Sequence, residues 1–204
     1  MTRIKICGIT NVQDALLASD LGSDALGFIF YPGSKRYIEP GIASEIISSL
    51  PPFITTVGVF VNQSLEEIRT VRDRTGIDLV QLHGDETPDF CSGLPFKAVK
   101  ALRVKERSDI ALVELYPMQA ILFDKYSDDA YGGTGEIFPW DWLKDLKTSK
   151  SIILSGGLTP GNVKGVINRV KPYAVDISSG VEDSPGKKNA EKMRKFIEAV
   201  RPGN

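Results

Sequence analysis

Eight short runs rich in β-branched and large apolar residues recur along the chain. Between consecutive runs lie segments with helical spacing or helix-start chemistry. This alternation predicts strands over about 3–7, 25–30, 55–61, 78–82, 97–102, 119–124, 151–155 and 173–177, and helices near 11–21, 40–50, 65–75, 87–93, 106–115, 140–147, 161–170 and 187–200. Ser64 shows how the helices are read. It is an N-cap with Glu67 three residues on, a capping box; Leu65, Ile68 and Val71 then keep helical spacing until Gly76 closes the segment. Pro88, Pro139 and Pro160 each stand near a helix start, where a missing N–H costs nothing. Strands separated by helices run parallel, because the crossover returns the chain to the same end of the sheet. Runs such as Ala120-Ile121-Leu122-Phe123 and Ser151-Ile152-Ile153-Leu154 suit a sheet covered on both faces. Eight such units are the number that closes into a single-domain (β/α)8 TIM barrel, here over residues 1–204. The rival, an open doubly wound sheet, carries a Gly-x-Gly-x-x-Gly after a strand, and none is present.

Composition removes several function classes. A net charge of −1 gives no global pull toward nucleic acid or a membrane surface. No apolar run approaches the roughly 20 residues needed to span a bilayer. The N-terminus reads as a strand rather than a secretion signal, so the expected location is cytoplasmic. Two cysteines, Cys7 and Cys91, make no disulfide framework, and a single histidine argues against a protein-held zinc.

In a parallel barrel the loops after the strands build the active site. Cys7-Gly8 follows the first strand, Ser34-Lys35-Arg36 the second, His83-Gly84 the fourth, and Asp124 the sixth. Ser155-Gly156-Gly157 follows the seventh strand and Ser178-Ser179-Gly180 the eighth, beyond Asp176. Cys7 reads either as a reactive thiol or as a small buried hydrophobe. The glycine–serine loops after strands seven and eight occupy the position that binds phosphate in many barrels; their other reading is tight turns. Arg36 is a fork for a carboxylate or a solvated charge. Asp124 is a general acid or a cap for the loop to Gly135. His83 is a base or a positioning residue, and Asp176 binds a sugar hydroxyl or fixes the last loop. Lys5 shares a strand face with Cys7, so it either assists a thiolate or pairs with an interior carboxylate.

Lys5-Ile6-Cys7-Gly8, Ser34-Lys35-Arg36, Gln81-Leu82-His83-Gly84, Leu122-Phe123-Asp124, Gly132-Gly133-Thr134-Gly135, Leu154-Ser155-Gly156-Gly157-Leu158 and Asp176-Ile177-Ser178-Ser179-Gly180-Val181-Glu182 occur in this order. Together they resemble the phosphoribosylanthranilate isomerases of tryptophan biosynthesis, from residue 3 to about 197. The resemblance implies Cys7 as general base and Asp124 as general acid, with Arg36 on the anthranilate carboxylate. It implies Gly156, Gly157, Ser179 and Gly180 around the phosphate, and His83, Gly133 and Asp176 among the substrate-binding residues. The implied reaction is an Amadori rearrangement of a phosphosugar, with no metal or organic cofactor, in a monomer or homodimer. Two departures stand out. Lys35 replaces a frequent proline, which would loosen the Arg36 loop, and Phe138-Pro139-Trp140 lacks a helix-capping aspartate. The competing readings are the analogous isomerase of histidine biosynthesis, which expects a carboxylate where Cys7 stands, and a catalytically silent phosphate-binding barrel.

Overall fold

The computed structural model describes residues 1–126, 131 and 137–202. Its centre is a closed parallel barrel of β1 (Arg3–Cys7), β2 (Ala25–Ile29), β3 (Thr55–Phe60), β4 (Leu79–Leu82), β5 (Ala98–Val104), β6 (Ala120–Lys125), β7 (Ser151–Leu154) and β8 (Ala174–Ile177). Each strand pairs with the next, and β1 closes on β8 with Lys5 opposite Asp176. The ring is covered by α1 (Val12–Asp20), α2 (Pro40–Ser48), α3 (Leu65–Thr75), α4 (Pro88–Ser92), α5 (Val163–Val170) and α6 (Ala190–Val200). The Ser64–Glu67 capping box forms, and Gly76 ends α3 at φ 72°.

Two of the expected helices take the 3-10 form, Arg107–Leu115 and Trp140–Leu143. Both bury residues three apart, Ile110 with Val113 and Trp140 with Leu143. A threefold repeat stacks such pairs on one side, as a 3-10 helix does. The second begins at Pro139 without a side-chain cap, and only one turn follows. The last helix also starts later than its sequence suggests. A hairpin of β9 (Glu182–Ser184) and β10 (Lys187–Lys188) takes up the chain first, and Asn189 then caps α6.

The main core lies between barrel and helices, where Phe28, Phe60, Phe123 and Phe196 are fully buried. Each such ring contributes roughly 1.5–3 kcal/mol relative to exposure. Inside the barrel, Val99, Ala101 and Leu122 form a separate apolar plug with Leu79, Ala120 and Ile153. Lys5, Gln81 and Asp176 are buried nearer the carboxyl ends of their strands, which gives the lumen a polar upper half. Among the described residues no helix is long and apolar enough to cross a membrane.

Candidate active site

Two adjoining clefts open at the carboxyl ends of the strands. The first, about 510 Å³ with its solvent-open space, is lined by Cys7, Arg36, His83 and Asp124, and by an apolar wall of Ile29, Val59 and Val61 with Tyr31 and Tyr131. The second, about 310 Å³, is formed by Ser155, Gly156, Gly157, Ser179 and Gly180. Asp124, Ser155, Asp176 and Ser178 border both. The sequence-expected residues therefore converge, with one exception: Gly133 lies outside the described residues.

Strand pleating explains the placement. Residues two apart share a face, so Lys5 and Cys7 on β1, Gln81 and His83 along β4, and Leu122 and Asp124 on β6 all turn toward the lumen. Lys5 reaches across the ring: its Nζ donates to Gln81 Oε1 at 2.7 Å and forms an ion pair with Asp176 Oδ1 at 3.1 Å. Its charge also acts on the Cys7 thiol, favouring the thiolate. Burial works to lower the pKa of Lys5, but Asp176 and Cys7 outweigh it and the net shift is upward, so the ammonium stays charged. Of the two readings of Lys5, the geometry shows the pairing with an interior carboxylate.

Burial pushes the Cys7 thiol above its ordinary value; the charges of Lys5 and Lys188 offset only part of this. Lys188 is a residue that sequence reasoning missed. From β10 its Nζ donates to the Cys7 carbonyl and, at 2.7 Å, to Glu182 Oε1. No local pattern marks it, because Lys187-Lys188 reads as the start of a surface helix. Gly27 on β2 was missed as well. A Cβ there would lie 2.7 Å from Cys7 Sγ, so only glycine leaves room for the sulfur.

Arg36 is buried, not a solvated charge. Its Nε contacts Glu182 Oε1 and Oε2 at 2.9 and 3.0 Å, and its Nη2 donates to Oε2 at 2.6 Å. Burial alone would raise the pKa of Glu182, but Arg36 and Lys188 hold it below the usual carboxylate range. The backbone N–H of Arg36 also donates to Ser34 Oγ. The loop expected to be loosened by Lys35 is therefore pinned from both sides. The fork is held edge-on by Glu182, and Arg36 still lines the cleft.

At the second cleft Gly156 and Gly157 have φ of 81° and 65°, which few side chains tolerate. A Cβ on Gly180 would strike the Leu158 carbonyl at 2.1 Å, so β7 and β8 loops meet there with bare backbone. Ser178 Oγ is buried without a hydrogen-bond partner among the described residues. Glycine backbone and a spare hydroxyl make a cradle suited to an anion. Asp124 is buried; its Oδ1 accepts the Lys125 N–H at 2.8 Å, and its Oδ2 lies 3.2 Å from His83 Nε2.

Comparison with known proteins identifies the family. Residues 4–199 match the family described as N-(5'phosphoribosyl)anthranilate (PRA) isomerase. The N-(5'-phosphoribosyl)anthranilate isomerase of Pelobacter propionicus is 50% identical over 197 residues, spanning 97% of this chain and 94% of that protein. A phosphoribosyl anthranilate isomerase solved in complex with reduced 1-(o-carboxyphenylamino)-1-deoxyribulose 5-phosphate superposes with a TM-score of 0.89 at 40% identity, covering 98% of this chain and 99% of that one. Monomers generated from the dimeric Thermotoga maritima isomerase superpose with a TM-score of 0.88 at 38% identity, covering 98% and 99%. This chain belongs to the N-(5'-phosphoribosyl)anthranilate isomerase family, the aldose–ketose isomerases of tryptophan biosynthesis.

Proposed function

We propose that this chain converts N-(5'-phosphoribosyl)anthranilate to 1-(2-carboxyphenylamino)-1-deoxyribulose 5-phosphate, with Asp124 as general acid and Cys7 as general base. The observation that carries the reading is the shared mouth. Cys7, Asp124 and Arg36 line one cleft, and Asp124 also borders the glycine–serine cradle beside it. Gly156, Gly157, Ser179 and Gly180 hold the phosphate in that cradle, with Ser178 Oγ as a further donor. Arg36, kept edge-on by Glu182, meets the anthranilate carboxylate. Val59, Val61 and Ile29 supply a flat apolar wall for the ring. Asp176 and His83 keep the catalytic groups in register from below.

The chemistry follows from these positions. The Asp124 carboxyl gives its proton to the furanose ring oxygen. The bond from that oxygen to C1' breaks, and the nitrogen lone pair forms the iminium. The Cys7 thiolate takes the C2' proton, and those electrons form the C1'–C2' double bond as the pair returns to nitrogen. The resulting enolamine loses its C2' hydroxyl proton and gains one at C1', giving the ketone. The iminium is the electron sink, so the scheme uses no other group. The partner is this phosphosugar alone, and the chain acts as a monomer or, like the Thermotoga maritima relative, as a homodimer.

Fluorescence loss of freshly generated substrate tests the scheme. Cys7→Ala and Asp124→Asn are each expected to lower kcat by about 10²–10⁴-fold while product still binds. Near-normal turnover in either variant removes that residue from its role. The pH profile gives an independent check. Cys7 must be ionised to act, and its raised pKa leaves little thiolate at neutral pH. Turnover is therefore expected to climb as pH rises from 7 toward 9, and a flat profile would contradict a thiolate base.

A further inference from the structure

A continuous hydrogen-bonded row crosses the upper lumen beneath the cleft. Lys5 Nζ meets Gln81 Oε1 at 2.7 Å, Gln81 Nε2 meets His83 Nδ1 at 2.8 Å, and His83 Nε2 meets Asp124 Oδ2 at 3.2 Å. All four side chains are buried, and each is held by its neighbours in this row. The row begins beside the thiol and ends on the carboxyl group proposed as acid. Sequence reading left His83 open between base and positioning residue; the row decides between them.

Donor and acceptor counting fixes the order. An ammonium has only donors, so the amide atom facing Lys5 is the carbonyl oxygen. The other end of that amide is an NH2 group, which also only donates. His83 Nδ1 must then accept, and it carries no hydrogen. The ring proton of the neutral imidazole therefore sits on Nε2, aimed at Asp124 Oδ2. Protonating Nδ1 would set an N–H against the amide NH2, two donors face to face in a buried space. From this we infer that Gln81, oriented by Lys5, is a positioning residue that locks His83 as the neutral Nε2–H tautomer and so fixes the donor that holds Asp124. A charge beside the base thus sets a hydrogen position beside the acid, two side chains away. His83 is not the proton acceptor of the reaction. This rests on the assignment of Asp124 as acid only for its effect on turnover; the lock itself does not.

The chain contains one histidine, so a ¹⁵N-histidine-labelled sample reports His83 without overlap. The wild type is expected to show Nδ1 unprotonated and Nε2 protonated at pH 7. Gln81→Glu places an acceptor at both ends of the residue, which demands a hydrogen on Nδ1. Its spectrum is expected to show Nδ1 protonated, and its kcat to fall about tenfold to a hundredfold with little change in KM, the effect of a mis-set hydrogen bond to the Asp124 carboxyl group. Lys5→Met frees the amide to turn and is expected to give a mixture of tautomers, which keeps the lock testable if Gln81→Glu does not fold. A wild-type spectrum with Nδ1 protonated, or unchanged tautomers in both variants, overturns the lock. Asp124→Asn, assayed beside them, separates the two claims. If it retains turnover, the acid assignment falls while the spectra still judge the lock. If it is inactive and Gln81→Glu switches tautomer with normal kcat, the positioning role is overturned.

Discussion

The molecule uses one set of chemical groups twice. At the end of β1 stand Cys7, Lys5 and Asp176; between barrel and helices, around α4 and β5, stand Cys91, Lys100 and Glu86. Each set holds a free cysteine, a buried lysine and a buried carboxylate, and in each the thiol is pushed upward by burial. The difference is in what the lysine touches. Lys100 Nζ meets Glu86 Oε2 at 2.9 Å and the carbonyls of Gly84 and Ala101 at 2.8 Å, while Glu86 accepts the N–H groups of Asn62 and Gly84. Nearly every partner is backbone, so the pair ties down the loop that follows His83. Lys5 instead meets side chains that line a cleft. Burial and charge alone do not separate a cluster that faces a cleft from one that is sealed. The partners and the opening do.

That contrast predicts opposite failures. Lys100→Met leaves Glu86 buried and uncompensated, which costs about 3–5 kcal/mol. The denaturation midpoint should fall sharply, while kcat per folded molecule stays near wild type. An unchanged midpoint would erase the distinction. Lys5→Met should act the other way. Asp176 borders the cleft rather than a sealed loop, and the stability cost is expected to stay below that of Lys100→Met. Turnover is expected to fall about a hundredfold, roughly 2.7 kcal/mol at the transition state, because Cys7 and the row leading to Asp124 lose their common support.

Most of the barrel was legible in sequence because strand pleating and helix capping are local. The first strand was expected and found at residues 3–7, and the Ser64–Glu67 box formed as its spacing predicts. The convergence of Cys7, Arg36, Asp124 and the two glycine loops followed from one rule, that parallel strands deliver their carboxyl ends to the same mouth. The exceptions were set by distant contacts. Lys188 gains its meaning from Cys7, 181 residues away, and Glu182 from Arg36, 146 residues away. Gln81 sat inside a quoted motif without a role, since only the crossing Lys5 side chain gives its amide a direction. That two of the helices are 3-10 was not legible, because Ile110–Val113 and Trp140–Leu143 spacing satisfies either period over so short a run.

The smallest effect is the sharpest test of the comparison. Cys91→Ala removes a buried sulfur that has no part in the cleft, at a cost of about 1 kcal/mol near pH 7 with turnover unchanged. Burial raises the Cys91 pKa from an ordinary 9.0 to about 11. In the unfolded chain this thiol ionises first, so the stability it lends is complete below about pH 9 and is lost as pH rises toward 11. The alanine variant lacks that loss, and its deficit should shrink steadily across the same window in paired denaturant titrations. Alkylation of the folded protein should meanwhile modify Cys7, slowed by bound product, and reach Cys91 only on unfolding. A deficit that stays constant to pH 11, or equal labelling of both sulfurs in the native state, would mean that the sealed cluster is no more closed than the cleft, and that burial of the thiol is not what keeps it silent.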